Sequence, residues 1–208
     1  MNKLILSALV LMTTSFSYAH APFVAPYQFL VQGGNTAITA GFADAPFDTE
    51  VAIRGFDFIQ INPKGEQSKL ELTNTKTLSV ADLAVPLDGS YQILGQRQGE
   101  LKYAKVANRW MRILDVKADR LPPLSKREFI ASSEVTVKMP QKASIRYDEV
   151  LTYVSKKTNS DLTVIAGRPL NIAYSIHPNQ LSQTKPLLLS AHLHGKVVQG
   201  GSVVLEKE

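Results

Sequence analysis

Apolar and polar positions alternate with a period of two along most of this chain, as in Glu134-Val135-Thr136-Val137-Lys138, and long stretches with helical spacing are lacking. That pattern predicts strands at residues 23–31, 36–42, 51–62, 77–85 and 91–96, then at 103–108, 134–139 and 143–147. The Pro63-Lys64-Gly65-Glu66 step and the Asp88-Gly89 pair supply turn chemistry between them. KADRLPPLSKRE at 117–128 reads as a loop, because its paired prolines interrupt both a helix and a β-ladder. YDEVLTYVSKKTNSDL at 147–162 fits two patterns: Val150, Leu151 and Val154 make a helical face, whereas Val150, Thr152 and Val154 make one side of a strand. The strand is preferred. KKTNSD then reads as a hinge into a second unit, with strands at 170–177, 187–194 and 202–206.

The expected fold is therefore all-β, with a β-sandwich over 20–159 followed at 160–208 by a short, incomplete immunoglobulin-like unit. A closed immunoglobulin sandwich takes roughly seven strands in about 100 residues, and this unit supplies about three. Either these strands extend the first sandwich, or the second domain is unclosed and leaves an edge strand prone to association.

Residues 1–19 have the build of a secretory signal: Lys3, an apolar run from Leu4 to Met12, then TTSFSYA. The run is shorter than the roughly 20 residues a membrane helix needs. Ser17 and Ala19 are the small residues a signal peptidase requires for a cut before His20, whereas a cut after Ala21 would put Pro22 beside the scissile bond. The expected mature chain begins at His20 in the periplasm, with no membrane span after cleavage.

Composition narrows the classes further. The chain has no Cys, which excludes disulfide scaffolds and thiolate metal sites. Loss of Lys3 lowers the formal charge from +5 to +4, spread along the chain, so no basic stripe suits nucleic acid. No Ser-His-Asp spacing, nucleotide-type glycine loop or acid pair appears, and the expectation is a binding protein without enzymatic activity.

Chemistry concentrates in four histidines: His20, His177, His192 and His194. An N-terminal His20 offers its amine and ring Nδ1 as a two-nitrogen chelate, a donor set suited to Ni(II), Co(II), Cu(II) or Zn(II), and Pro22 stiffens the chain behind it. His192 and His194 lie two apart, so on one strand they share a face about 6.5 Å apart, either as two ligands or as a pair of surface residues beside a turn. His177 precedes Pro178 at a strand end. If the strands at 170–177 and 187–194 form a hairpin, His177 lies about 23 Å from His194 and reads as structural. Asp44 and Asp48, around Pro46, are turn formers that can also add oxygen ligands to a cation.

HAPFVAP after the leader, GFADAPF, FDFIQINPKGE, DGSYQILG, SIHPNQL and HGKVVQGGSVV together resemble the exported family known as domain of unknown function 4198. The resemblance implies an N-terminal β-sandwich and a C-terminal immunoglobulin-like part in the periplasm, with roles in nickel and cobalt uptake or beside an outer-membrane receptor. It maps the family's N-terminal His onto His20 and its His-Pro-Asn step onto His177 to Asn179. His194 stands where relatives carry an acidic residue, and relatives run on past the position of Glu208. The expected function is a periplasmic binding protein for nickel, cobalt or copper that serves a membrane transporter or outer-membrane receptor, with His20 completed by His177, His192 or His194. The rivals are an envelope module that binds glycan or protein through residues such as Tyr103 and Trp110, and a copper oxidase. For Trp110 itself, core packing is the expectation.

Overall fold

The computed structural model describes residues 21–44, 47–182 and 187–200. Among them the chain forms fifteen strands and a few single 3₁₀ turns. In order these are β1 (Ala21–Pro26), β2 (Leu30–Val31), β3 (Asn35–Ala43), β4 (Thr49–Ala52), β5 (Asp57–Ile61), β6 (Gln67–Lys69), β7 (Thr73–Asn74) and β8 (Ser79–Ala84). Then come β9 (Gly89–Val106), β10 (Arg109–Leu114), β11 (Phe129–Ala131), β12 (Gln141–Lys156), β13 (Leu170–Tyr174), β14 (Leu189–Leu193) and β15 (Lys196–Val197). The all-β expectation holds.

One sheet runs β1-β3-β8-β7, with β4 also on β3; the second runs β11-β10-β9-β12-β2, with β5 on β9 and β6 on β5. They pack face to face. Ile38, Ala40, Ala81 and Leu83 from the first sheet meet Phe58, Tyr91, Ile93, Val150 and Val154 from the second, with Ile38, Leu83, Ile93 and Val154 sealed from solvent. Strand β3 shows how the pattern produces this: Thr36, Ile38 and Ala40 are buried while Asn35 and Ala37 are exposed. Pro22 and Pro26 are tolerated in β1 because that strand is an edge, bonded to β3 alone. Gly95 is required by contact: a Cβ there would collide with the Phe58 ring and lie 2.8 Å from Val150 Cγ2.

The turn into β9 is pinned by the buried Tyr91, whose hydroxyl donates to the Leu87 carbonyl at 3.0 Å and accepts the Leu87 N–H at 2.7 Å. From there β9 and β12 pair over their whole common length, Gly89 opposite Lys156 and Ala104 opposite Gln141. Their inner halves belong to the sandwich; their outer halves form a ribbon whose β12 side is exposed from Gln141 to Tyr147. Arg97 marks the boundary, stacked 4.8 Å over Phe56 and bonded to Asp148 at 2.6 Å. The ribbon leads to a separate small core of Ala104, Met111 and Ile130.

Several expected elements differ. Residues 23–31 divide at Tyr27–Phe29 into β1 and β2, which join different sheets, and residues 51–62 divide at Gly55, whose φ of 73° redirects the chain. Residues 91–96 and 103–106 belong to one strand, β9, while Ala107 and Asn108, both at positive φ, form the turn into β10, and the alternating 147–162 stretch is strand as far as Lys156. Residues 109–114, unassigned from sequence, are β10. The alternating 134–139 stretch is no strand: Val135 N–H bonds Ser132 O, Met139 N–H bonds Thr136 O, and Val137 is 98 % exposed. Glu134 is drawn backward instead, onto Arg127 at 2.8 Å and the Ala131 N–H at 2.9 Å. Trp110 is not in the core. In β10 it is Met111, opposite Ala104, that points inward, so alternation leaves Trp110 42 % exposed. The expected strand at 202–206 lies outside the described residues.

The KKTNSD stretch is strapped down rather than left as a free hinge. Ser160 and Ser90 exchange two hydrogen bonds, Gln92 Nε2 donates to Thr163 O at 2.8 Å, and Ile165 is buried against Ile61 and Leu94. The strap covers the outer face of the second sheet. Beyond it β13, β14 and β15 form a third sheet in a simple antiparallel meander.

Candidate functional site

The outer face of the second sheet presents the cross-strand pair Gln92 and Tyr153. The strap on one side and the β13–β14 hairpin on the other enclose a cleft of about 570 Å³ above that pair, which His177 and His192 both line. Two of the sequence-predicted histidines thus reach one cavity. They enter it from different ends of the hairpin: His192 stands opposite Asn171, whereas His177 follows the last rung, Tyr174 opposite Leu189. About 10 Å of ladder, from Asn171 to Tyr174, lies between those rungs.

His177 is held tightly. Its Nδ1 accepts the Asn179 N–H at 3.1 Å, and its ring meets Tyr153 edge-on with centroids 6.0 Å apart. The Asn179 amide donates to Phe29 O at 3.1 Å and to Ser155 Oγ at 3.2 Å, tying this corner of the hairpin to the sandwich. Because Nδ1 is an acceptor, the ring proton sits on Nε2, which is buried without a partner. Burial pushes the His177 pKa down, which favours this neutral form. A metal needs a lone pair, and in this tautomer neither nitrogen has one to give without breaking the Asn179 bond.

His192 Nε2 lies 3.3 Å from Ser190 Oγ on the same face of β14. His194 does not share that face. It occupies, with Gly195, the two-residue turn between β14 and β15, at φ values of 49° and 77°, and its N–H bonds Pro169 O. A turn of this hand needs two residues with positive φ, and Gly195 supplies the easier one, so the alternation that would align His194 with His192 ends at Leu193. No group of three or more His, Asp or Glu gathers among the described residues.

His20 lies outside the described residues; its neighbour Ala21 is the first residue of β1, opposite Ala43. Asp44 follows Ala43, and Asp48 precedes β4, whose Thr49 also registers with Ala43. Phe47 meets Phe23 of β1 edge-on at 6.2 Å. The other end of β1, at Pro26, lies about 17 Å along the strand and leads to the Phe29 corner held by Asn179. Ala21 and the His177 corner are therefore at opposite ends of β1.

Sequence inspection missed the remaining cleft residues, because Gln92 of β9 and Tyr153 of β12 meet the strap and the β13 region only in the folded chain. Arg168 forms a doubly bonded pair with Glu149 at 2.9 and 3.1 Å, Glu149 also accepts from Gln96 at 2.8 Å, and both charges are largely buried. Tyr153 meets Tyr174 edge-on at 5.8 Å, and burial pushes the Tyr153 hydroxyl well above its ordinary pKa. On the far ribbon, Lys142 Nζ sits 4.4 Å from the Trp110 ring and 5.7 Å from that of Tyr103. Among the described residues no helix is long and apolar enough to cross a membrane. Comparison with family models, curated proteins and solved structures finds no match.

Proposed function

We propose that this protein is an exported periplasmic binding protein for a divalent transition metal, nickel, cobalt or copper, which delivers its ion to a membrane transporter or outer-membrane receptor. The amine and Nδ1 of His20 form the chelate. The observation that carries the reading is the register of β1: Ala21 is held opposite Ala43, beside the loop bearing Asp44 and Asp48. Cleavage before His20 would put the new amine one residue ahead of Ala21, whose partner Ala43 precedes Asp44 and registers with Thr49, the residue after Asp48, and a mixed nitrogen and oxygen donor set suits these ions. Carboxylates from this loop complete the set more readily than His177, which sits beyond the other end of β1 and whose Nδ1 is engaged.

The test is calorimetric titration of Ni(II) and Cu(II) into the mature protein beginning at His20. One tight site is expected, lost when a single Ala precedes His20 and weakened in Asp48→Asn. Affinity falls as pH drops through the amine and imidazole ranges, near 8 and 6.5, because protonated nitrogens do not ligate. Unchanged affinity in the extended chain refutes the clamp.

A second reading, an envelope module that binds glycan or protein without metal, is favoured by one observation: Trp110 and Lys142 make an exposed aromatic and cationic surface on the ribbon. Binding to envelope material that survives chelators and is lost in Trp110→Ala identifies this role.

A further inference from the structure

The cleft over Gln92 and Tyr153 has the volume of a small-molecule pocket. Its charges are internally matched: Arg168 is committed to Glu149, and His177 is neutral because Nδ1 accepts a backbone N–H. The one other charged lining residue is the exposed Asp161. An anionic ligand would find the Arg168 guanidinium already taken by Glu149, and the other lining imidazole, His192, has its Nε2 3.3 Å from Ser190 Oγ.

Unsatisfied hydrogen bonds point to the ligand's chemistry. Four buried side-chain polar atoms have no partner among the described residues, and two of them, Asn159 Oδ1 and His177 Nε2, belong to residues lining this cleft. One is an acceptor and the other a donor, and each unmet group costs about 1–3 kcal/mol. Tyrosine rings at Tyr153 and Tyr174 supply an apolar wall beside them. Both unmet atoms are shut off from bulk water, and the hairpin corner beside His177 is held by the Asn179 bonds.

We propose that this cleft, opened by a small outward shift of the hairpin, binds an uncharged, hydroxyl-rich small molecule of monosaccharide or disaccharide size, with hydroxyl groups satisfying Asn159 Oδ1 and His177 Nε2–H and a C–H face against the tyrosines. A hydroxyl both donates and accepts, so one ligand type serves both atoms. This site is independent of the metal clamp at His20, and metal titration reads that clamp separately.

The test is calorimetry on the mature protein with glucose, galactose, arabinose and maltose, alongside galacturonate and glucosamine as charged counterparts. A neutral sugar is expected to bind one to one. Ala173 is exposed and lines the cleft, so Ala173→Trp fills the space with little effect on folding, and it is expected to weaken binding at least about tenfold at unchanged Tm. His177→Phe tests the donor and gives a similar loss. Failure of every neutral sugar at millimolar concentration, preference for a charged counterpart, or equal binding by Ala173→Trp each overturns the proposal.

Discussion

His177 accepts the backbone N–H of Asn179 on its ring at 3.1 Å, while the Asn179 side chain reaches Phe29 and Ser155. The two residues form a clasp between hairpin and sandwich. Asn179→Ala removes both side-chain bonds and is expected to weaken docking by about 1–3 kcal/mol. Hydrogen exchange then speeds up in β13 and β14, with β3 and β8 unchanged. Uniform acceleration across all strands would show that the clasp is not local.

The engaged Nδ1 also separates the histidines by role. His177→Gln is expected to leave Ni(II) affinity within about twofold of the parent, a free-energy change below 1 kcal/mol. An Ala added before His20 abolishes the tight site. Loss of affinity in His177→Gln would move the metal into the cleft.

Gly95 tests the packing of the main core. An added Cβ meets Phe58 and Val150 from opposite sides, so Gly95→Ala should cost about 1–3 kcal/mol. Urea unfolding reads this as a lower midpoint at constant slope. Phe58→Leu on the same background returns part of the loss.

The small outer core depends on Arg127 and Glu134. The side-chain bond from Arg127, with that from the Ala131 N–H, holds the Glu134 carboxyl below its ordinary range. A depressed folded pKa means stability that is present above the unfolded carboxylate range and is lost as pH falls through the folded value. Acid unfolding should therefore reach this lobe early, and Glu134→Gln should flatten that part of the pH profile. The readout is exchange at Met111 and Ile130 amides.

Trp110 is the single tryptophan, which makes the ribbon directly observable. Lys142→Met removes the cation above its ring and should shift its fluorescence, at a stability cost of about 0.5–1 kcal/mol or less. Unchanged emission would mean the pair is not maintained in solution.

Strand content was legible where alternation coincided with burial on one face, as in β3 and β8, and so was the loop at 117–128. It misled at 134–139, where the alternation is unbroken. There the Glu134 carboxylate has a better partner in Arg127 than in solvent, and that preference is invisible in a local pattern. His192 and His194 failed for a similar reason, because the His194-Gly195 step is equally readable as strand end or as turn.

Local spacing by itself determined that this chain is built from strands, since period-two alternation and turn residues act over a few positions. Tertiary structure alone decided that Ala21 and His177 stand at opposite ends of β1, that Arg168 finds Glu149, and that Gln92 and Tyr153 floor a cleft. Those relations join residues far apart in the chain, and their energy arises only once the sheets have packed.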